Sequence, residues 1–385
     1  MSKKLLSTLL FITLTIFFLS NCAEKKKPLP VEQIETKIKI EHATGFTIEQ
    51  NGSFTVIEVK SAWPGSETSF KYALIPKEKL ATITLPNDAF DAIVAIPVER
   101  MVVTSTTHIP SLEELGVLGS VVGFPNMDLI SSTVARKRID SGLIKELGTN
   151  ENINTEIALE LNPEVVVGFG INGVNRAYET LKQSNIPIVY NGDWTESTPL
   201  GKAEWIKFFA PFFQKEAVAD SIFKGIQESY NKTKLLAKKA TQKPTVLTGG
   251  LYKDVWYVSG GESWMGQFLK DANAKFLWAD TEVKGSIGLS LEAVLEKGQQ
   301  AEFWFNPSLH TSYTELEEVN AHYRQFDAFL NKKVFSNAIN KGTTGGLLFY
   351  ELAPQRPDLV LKDLISILHP ELLPDHKPRF YMPLN

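Results

Sequence analysis

The sequence predicts an α/β protein of two doubly wound lobes joined by one long backbone helix, with an N-terminal β-hairpin appendage. Three observations predict it. The stretch 215–239 holds no proline and a single glycine, Gly225, and its apolar residues Val218, Ala219, Ile222, Phe223, Ile226 and Tyr230 recur at spacings of three and four, the stripe that a helix buries on one side. Roughly 25 residues at ~1.5 Å each span about 37 Å, enough to bridge two lobes. On both sides of it, short β-branched runs alternate with helical patterns. Finally, 157–167 (helix, Asn-Pro, apolar strand) is echoed by 291–305 (helix, short loop, apolar strand ending in Asn306-Pro307).

The N-terminus has a separate character. Lys3 and Lys4 precede an apolar run, 5–19, too short and wrongly flanked for a transmembrane helix and patterned as a secretion signal. It ends in Leu19-Ser20-Asn21-Cys22, and Cys22 is the sole cysteine of the chain. This resembles the lipobox of bacterial lipoproteins. The resemblance implies a signal peptide over 1–21, lipidation of Cys22, and a mature chain held on a membrane of the cell envelope by acyl chains, at a periplasmic or extracytoplasmic face. With one cysteine, no internal disulfide can form even in an oxidising compartment.

Taken in order, 22–33 carries Lys25, Lys26, Lys27 and two prolines with little apolar content, a tether. Over 34–91, near-alternating patterns flank Asn51-Gly52, a hairpin signal that predicts the β appendage. The first lobe is expected over 92–214. Its strands are read at 100–105, 121–123, 165–167 and 186–190, and a helix starts at the capping box Ser111-Leu112-Glu113-Glu114 beside Pro110. The backbone helix occupies 215–240 and the second lobe 241–385. That lobe has strands at 245–248 and 303–305, helices at 263–271 and 289–295, and a closing helix from Pro357 that Pro370 stops. Two open α/β lobes place a ligand outside the carboxyl ends of their strands.

The chain is 43% hydrophobic and 22% charged, with a formal net charge of -4 over 385 residues. Such mild acidity, with no basic stripe interleaved with aromatics beyond the N-terminal tail, argues against nucleic acid as a partner. Gly119-Ser120-Val121-Val122-Gly123 has the wrong spacing for a hydrolase nucleophile elbow. Gly260-Gly261-Glu262-Ser263 lacks the Lys-Ser/Thr ending of a nucleotide-binding loop. The six histidines are dispersed without the pairing of a zinc site, so no metal site and no cofactor are expected.

Of the histidines, His108 follows a first-lobe strand within Thr106-Thr107-His108, where cleft loops belong. Trp194 follows another first-lobe strand, while Tyr252, Trp256, Tyr257, Trp264 and Trp304 crowd the second lobe. Each aromatic offers a flat surface of ~150–250 Å², suited to a macrocycle or metal chelate. Thr107, His108, Phe124, Phe169 and Trp194 are therefore expected to line the cleft from one side, and the five second-lobe aromatics from the other.

Several segments carry a resemblance to a known family. They are Thr106-Thr107-His108-Ile109-Pro110-Ser111-Leu112-Glu113-Glu114-Leu115-Gly116, Leu161-Asn162-Pro163-Glu164-Val165-Val166-Val167-Gly168, and Trp256-Tyr257-Val258-Ser259-Gly260-Gly261-Glu262-Ser263. Tyr350-Glu351 with Arg356-Pro357-Asp358-Leu359-Val360-Leu361-Lys362-Asp363-Leu364 is the most specific. Over roughly 92–374 the chain resembles the substrate-binding lipoproteins of bacterial ABC importers for iron complexes and cobalamin. The resemblance implies a non-enzymatic protein that captures a ferric siderophore, haem or corrinoid between its lobes and delivers it to a permease dimer. It also implies that a surface glutamate on each lobe meets permease arginines. Glu351 matches the second-lobe position. The first-lobe counterpart falls near Asn175, which leaves Glu179, one turn on, as a substitute. A zinc or manganese carrier, or less readily an envelope hydrolase, is the alternative.

Overall fold

The computed structural model describes residues 35–385 apart from Asn87, Asn172 and Val174. The expected signal peptide, Cys22 and the tether lie outside the described residues. Among the described residues no helix is long and apolar enough to cross a membrane.

The predicted spine is the helix Glu216–Ala237, whose 22 residues span about 33 Å. Its stripe serves two cores in succession. Ala219, Phe223 and Ile226 belong to the core of the first half of the chain, and Tyr230 and Ala237 to that of the second. The Tyr230 hydroxyl donates to the Asp271 carboxylate at 2.7 Å, and Lys234 pairs with the same group at 2.9 Å. One helix thus ties both lobes together.

The N-terminal appendage is a five-stranded sheet that contains the expected hairpin. Its strands are β1 (Glu35–Ile38), β2 (Phe46–Asn51), β3 (Phe54–Val59), β4 (Phe70–Pro76) and β5 (Ala92–Ile96), in that spatial order. The first four pair antiparallel, and β5 joins β4 in parallel. Asn51 pairs with Phe54, so the two-residue loop is Gly52-Ser53, one position beyond the Asn-Gly pair. Gly52 supplies the positive φ, 58°, that the first loop position demands.

This sheet shares the first lobe's core. Phe46 lies 4.5 Å from Trp205 between ring centroids, and the Tyr72 hydroxyl accepts the Tyr190 N–H at 2.9 Å. Two buried carboxylates then clamp the incoming chain. Glu204 accepts the N–H groups of Glu41, His42 and Ala43 at 2.9, 2.6 and 2.9 Å, and Glu196 accepts those of Thr44 and Gly45, each at 2.7 Å. Lys207 balances Glu204 at 3.2 Å.

The first-lobe sheet is wholly parallel. It comprises β6 (Met101–Val103), β7 (Val121–Phe124), β8 (Lys145–Glu146), β9 (Val165–Gly168) and β10 (Ile188–Tyr190), in the order β10-β9-β6-β7-β8. The second lobe has β11 (Thr245–Thr248), β12 (Gly250–Tyr252), β13 (Val255–Ser259), β14 (Lys275–Phe276), β15 (Ser286–Leu289), β16 (Phe303–Phe305), β17 (Val334–Ser336) and β18 (Met382–Pro383). Its main sheet runs β14-β11-β16-β17-β18, with only β18 antiparallel, and β12-β13-β15 form a small antiparallel sheet. Strand order reverses between β6 and β9 in one lobe and between β11 and β16 in the other. Ligand sites of open α/β sheets belong outside the carboxyl ends at such reversals.

Candidate functional site

On the second lobe, β11 is followed by Gly249, whose φ is 83° and where the Tyr257 carbonyl leaves no room for a Cβ. The β12–β13 hairpin therefore folds back closely over the strand end. Along β13, Trp256 and Val258 point inward while Val255 and Tyr257 point out. Tyr252 and Tyr257 are 65% and 45% exposed. Together with Ser259, Trp264, Asn306 and Tyr350 they line a cavity of about 420 Å³. Two buried atoms of that lining, Trp264 Nε1 and Asn306 Oδ1, have no hydrogen-bond partner in the protein.

Trp256 and Trp304 were expected in this lining and are instead wholly buried beneath it. Neighbouring residues of a strand face opposite ways, so Trp256 cannot join Tyr257. Trp304 lies on β16, in the interior of a largely parallel sheet covered on both faces. The two indoles stack at 5.2 Å and 29°. Trp256 Nε1 donates to the Thr248 carbonyl at 3.0 Å and Trp304 Nε1 to that of Gly249 at 2.6 Å. They hold the end of β11 in place.

On the first lobe, Phe169 follows β9 and lines a hollow of about 260 Å³ with Ile171 and Arg176. Trp194, 38% exposed, stands in the turn after β10. Thr107 is half-buried, and its hydroxyl is engaged by Ser105 at 2.8 Å. Phe124 and His108 are buried, at 1% and 0% exposure, and so do not face the cleft. The His108 ring lies 5.3 Å from Phe209, and burial lowers its pKa to about 4 against the opposing pull of Asp193, so the imidazole is neutral.

The helix that carries His108 runs His108–Glu114 with Thr107 at its N-cap, four residues earlier than the capping box predicts. The Ser111 hydroxyl is committed to Gln355 at 2.8 Å, and Pro110 fits the first turn, where its missing N–H costs nothing.

Lys202, which the sequence reading missed, joins the two faces. It donates to the carbonyls of Asp193 and Trp194 at 3.1 and 2.9 Å, and its ammonium lies 5.5 Å from the Trp264 ring centroid. Burial lowers its pKa, with Asp193 and Glu196 opposing. Its signal was available: Lys202, Glu204 and Lys207 interrupt an apolar run from Pro199 to Phe213, and charges so placed must be paired. Among the described residues no three His, Cys, Asp or Glu side chains converge as a metal site would require.

Glu179 is exposed on the helix Arg176–Gln183. Glu351, expected at the surface, is 2% exposed. It reaches across to the first lobe, where its carboxylate accepts the N–H groups of Ser131 and, at 2.8 Å, Ser132. Beside it the Ser131 hydroxyl donates to the Gly346 carbonyl at 3.0 Å, and Thr344 to that of Asp128 at 2.8 Å. Burial pushes the Glu351 carboxyl up to about 7; the two serine N–H groups oppose the shift and Glu113 adds to it.

A raised folded-state pKa favours the fold fully below the ordinary carboxylate range, and that contribution is lost as pH rises through about 7. Thermal stability is therefore expected to fall between about pH 5 and 8, by on the order of 3 kcal/mol at most, and Glu351→Gln is expected to flatten the slope. Identical melting profiles of the two proteins over that range would show that Glu351 does not titrate across the seam.

The sequence profile described as periplasmic binding protein matches residues 101–337, more than half of the chain. An uncharacterised lipoprotein of Methanocaldococcus jannaschii is 28% identical over 303 residues, which cover 76% of this chain and 70% of that protein. A possible iron-binding (periplasmic solute-binding) protein from Staphylococcus epidermidis superposes with a TM-score of 0.56 at 18% identity, covering 71% of this chain and 99% of that one. The periplasmic haem-binding protein HutB of Vibrio cholerae superposes with a TM-score of 0.52, also at 18% identity, over 68% of this chain and 99% of its own. Profile, relatives and shared two-lobed architecture agree: this chain belongs to the periplasmic binding protein family.

Proposed function

We propose that the protein captures a bulky metal chelate between its lobes and delivers it to an ABC permease, without performing a chemical step. The chelate is an iron complex, a ferric siderophore or haem, or else a corrinoid. One observation carries this reading. Exposed Tyr252 and Tyr257, with Trp264, surround a cavity at the carboxyl ends of one sheet, while Phe169 and Trp194 stand at the carboxyl ends of the other.

Such surfaces favour a large flat ligand over a sugar or amino acid. Arg176 is exposed and makes no ion pair among the described residues, leaving positive charge for an anionic chelate. The haem named for the Vibrio protein and the iron named for the Staphylococcus protein are consistent with this class of cargo. In this reading the lipid on Cys22 keeps the protein at the membrane, and Glu179 is the exposed carboxylate offered to the permease.

The experiment is a tryptophan-fluorescence titration of the protein with haem, cyanocobalamin, a ferric trihydroxamate and ferric citrate, confirmed by calorimetry because these ligands absorb light. Saturable binding of one class in the submicromolar range is expected, a free energy near -8 kcal/mol or stronger. Absence of binding across the panel, with turnover of ester, glycoside or phosphate substrates, would replace this reading with an enzyme.

A further inference from the structure

The loop between β3 and β4 brings an aromatic side chain to the strand ends of the first lobe. Trp63 stands in the loop between β3 and β4, in the sequence Trp63-Pro64-Gly65. Its carbonyl receives the Ser61 hydroxyl and the Ser66 N–H, both at 3.1 Å, which fixes the loop. The indole lies 5.6 Å from the Tyr190 ring and 5.7 Å from that of Phe70, and it remains partly exposed.

Two glycines admit this loop to the first lobe. A Cβ on Gly170 would run into the six-membered ring of Trp63, and one on Gly192 into the Ser61 carbonyl. Gly170 follows Phe169 beyond the end of β9, and Gly192 lies two residues past the end of β10. Trp63 therefore sits at the strand ends that carry Phe169 and Trp194, the edge at which an open sheet binds ligands. A sheet core does not call for an aromatic in a Pro-Gly turn, and this one packs over glycine where any larger residue would exclude it.

We propose that Trp63 is a specificity-determining residue of the cleft, forming part of the first-lobe wall against which a flat chelate stacks. The inference deepens the capture reading and rests on it. The appendage then acts as a third wall of the binding site.

The test is calorimetric titration of wild type, Trp63→Ala, Trp63→Phe and Tyr257→Ala with the same four chelates, alongside melting temperatures. Trp63→Phe keeps a ring against Phe70 and Tyr190, so binding is readable even where alanine loosens the sheet. Affinity for the bound chelate is expected to fall roughly tenfold in Trp63→Ala and about threefold in Trp63→Phe, with the latter's melting temperature near wild type. If Trp63→Phe binds as wild type does, and any loss in Trp63→Ala follows its melting temperature, Trp63 is a packing residue only and the inference fails while capture stands. If wild type itself binds none of the four chelates, the capture reading falls and takes this inference with it.

Discussion

Glu204→Ala is expected to destabilise the protein by about 3–5 kcal/mol, the loss typical of breaking a buried ion pair on one side. The side chain is fully buried and accepts three consecutive backbone N–H groups, from Glu41 to Ala43. It also balances Lys207, whose ammonium is 3.2 Å from it, 3.1 Å from Asp220, and bonded to the Lys39 carbonyl at 3.2 Å. Alanine leaves the amides without an acceptor and a largely buried cation half-paired. Glu204→Gln keeps one acceptor but loses the charge, and should fall between. Urea midpoints read the effect. A loss below about 1 kcal/mol for Glu204→Ala would mean that Glu196 alone holds the N-terminal sheet.

Trp304→Ala is expected to cost a similar amount, roughly 3–5 kcal/mol, by opening a cavity at the centre of the second lobe. The indole is wholly buried, stacked on Trp256 and edge-on to Tyr323 at 5.3 Å. Trp304→Phe separates two roles, since it retains most of the apolar contact but not the N–H bond to the Gly249 carbonyl. Stability should recover largely, while affinity for the chelate stays reduced because the end of β11 is no longer held under the β12–β13 hairpin. Equal affinity of Trp304→Phe and wild type would show that the strand end needs no such support.

The spine was legible because its buried stripe repeats at helical spacing, and Val165–Val167 because an interior parallel strand is covered on both faces and reads as an unbroken apolar run. Part of the site was legible in principle and misread. Trp256 and Tyr257 are neighbours on one strand, and the two-residue period alone excludes that both face one cavity. His108 was misplaced by the same step: position after a strand identifies a cleft loop, but its side chain opens a helix whose first turn is buried against Phe209.

Other features are set by partners far away in sequence. Ser111 reads as a helix cap until Gln355 claims its hydroxyl, and Glu351 reads as a surface charge until Ser131 and Ser132 take its carboxylate. The N-terminal sheet reads as an appendage because its registry with the first lobe rests on Glu196 and Glu204, more than 150 residues beyond the amides they hold. Local pattern records propensity and amphipathicity; it does not record which distant amide a buried carboxylate will meet.

Capture in the cleft is tested most directly by calorimetry on wild type and the Tyr252→Ala/Tyr257→Ala double variant, titrated with the chelate that wild type binds. Both tyrosines are exposed, so the fold should survive their loss. The account predicts one-to-one binding by wild type and affinity weaker by roughly tenfold to a hundredfold in the variant, at unchanged melting temperature. Binding by the double variant within about twofold of wild type would contradict it, since the ligand would then lie elsewhere.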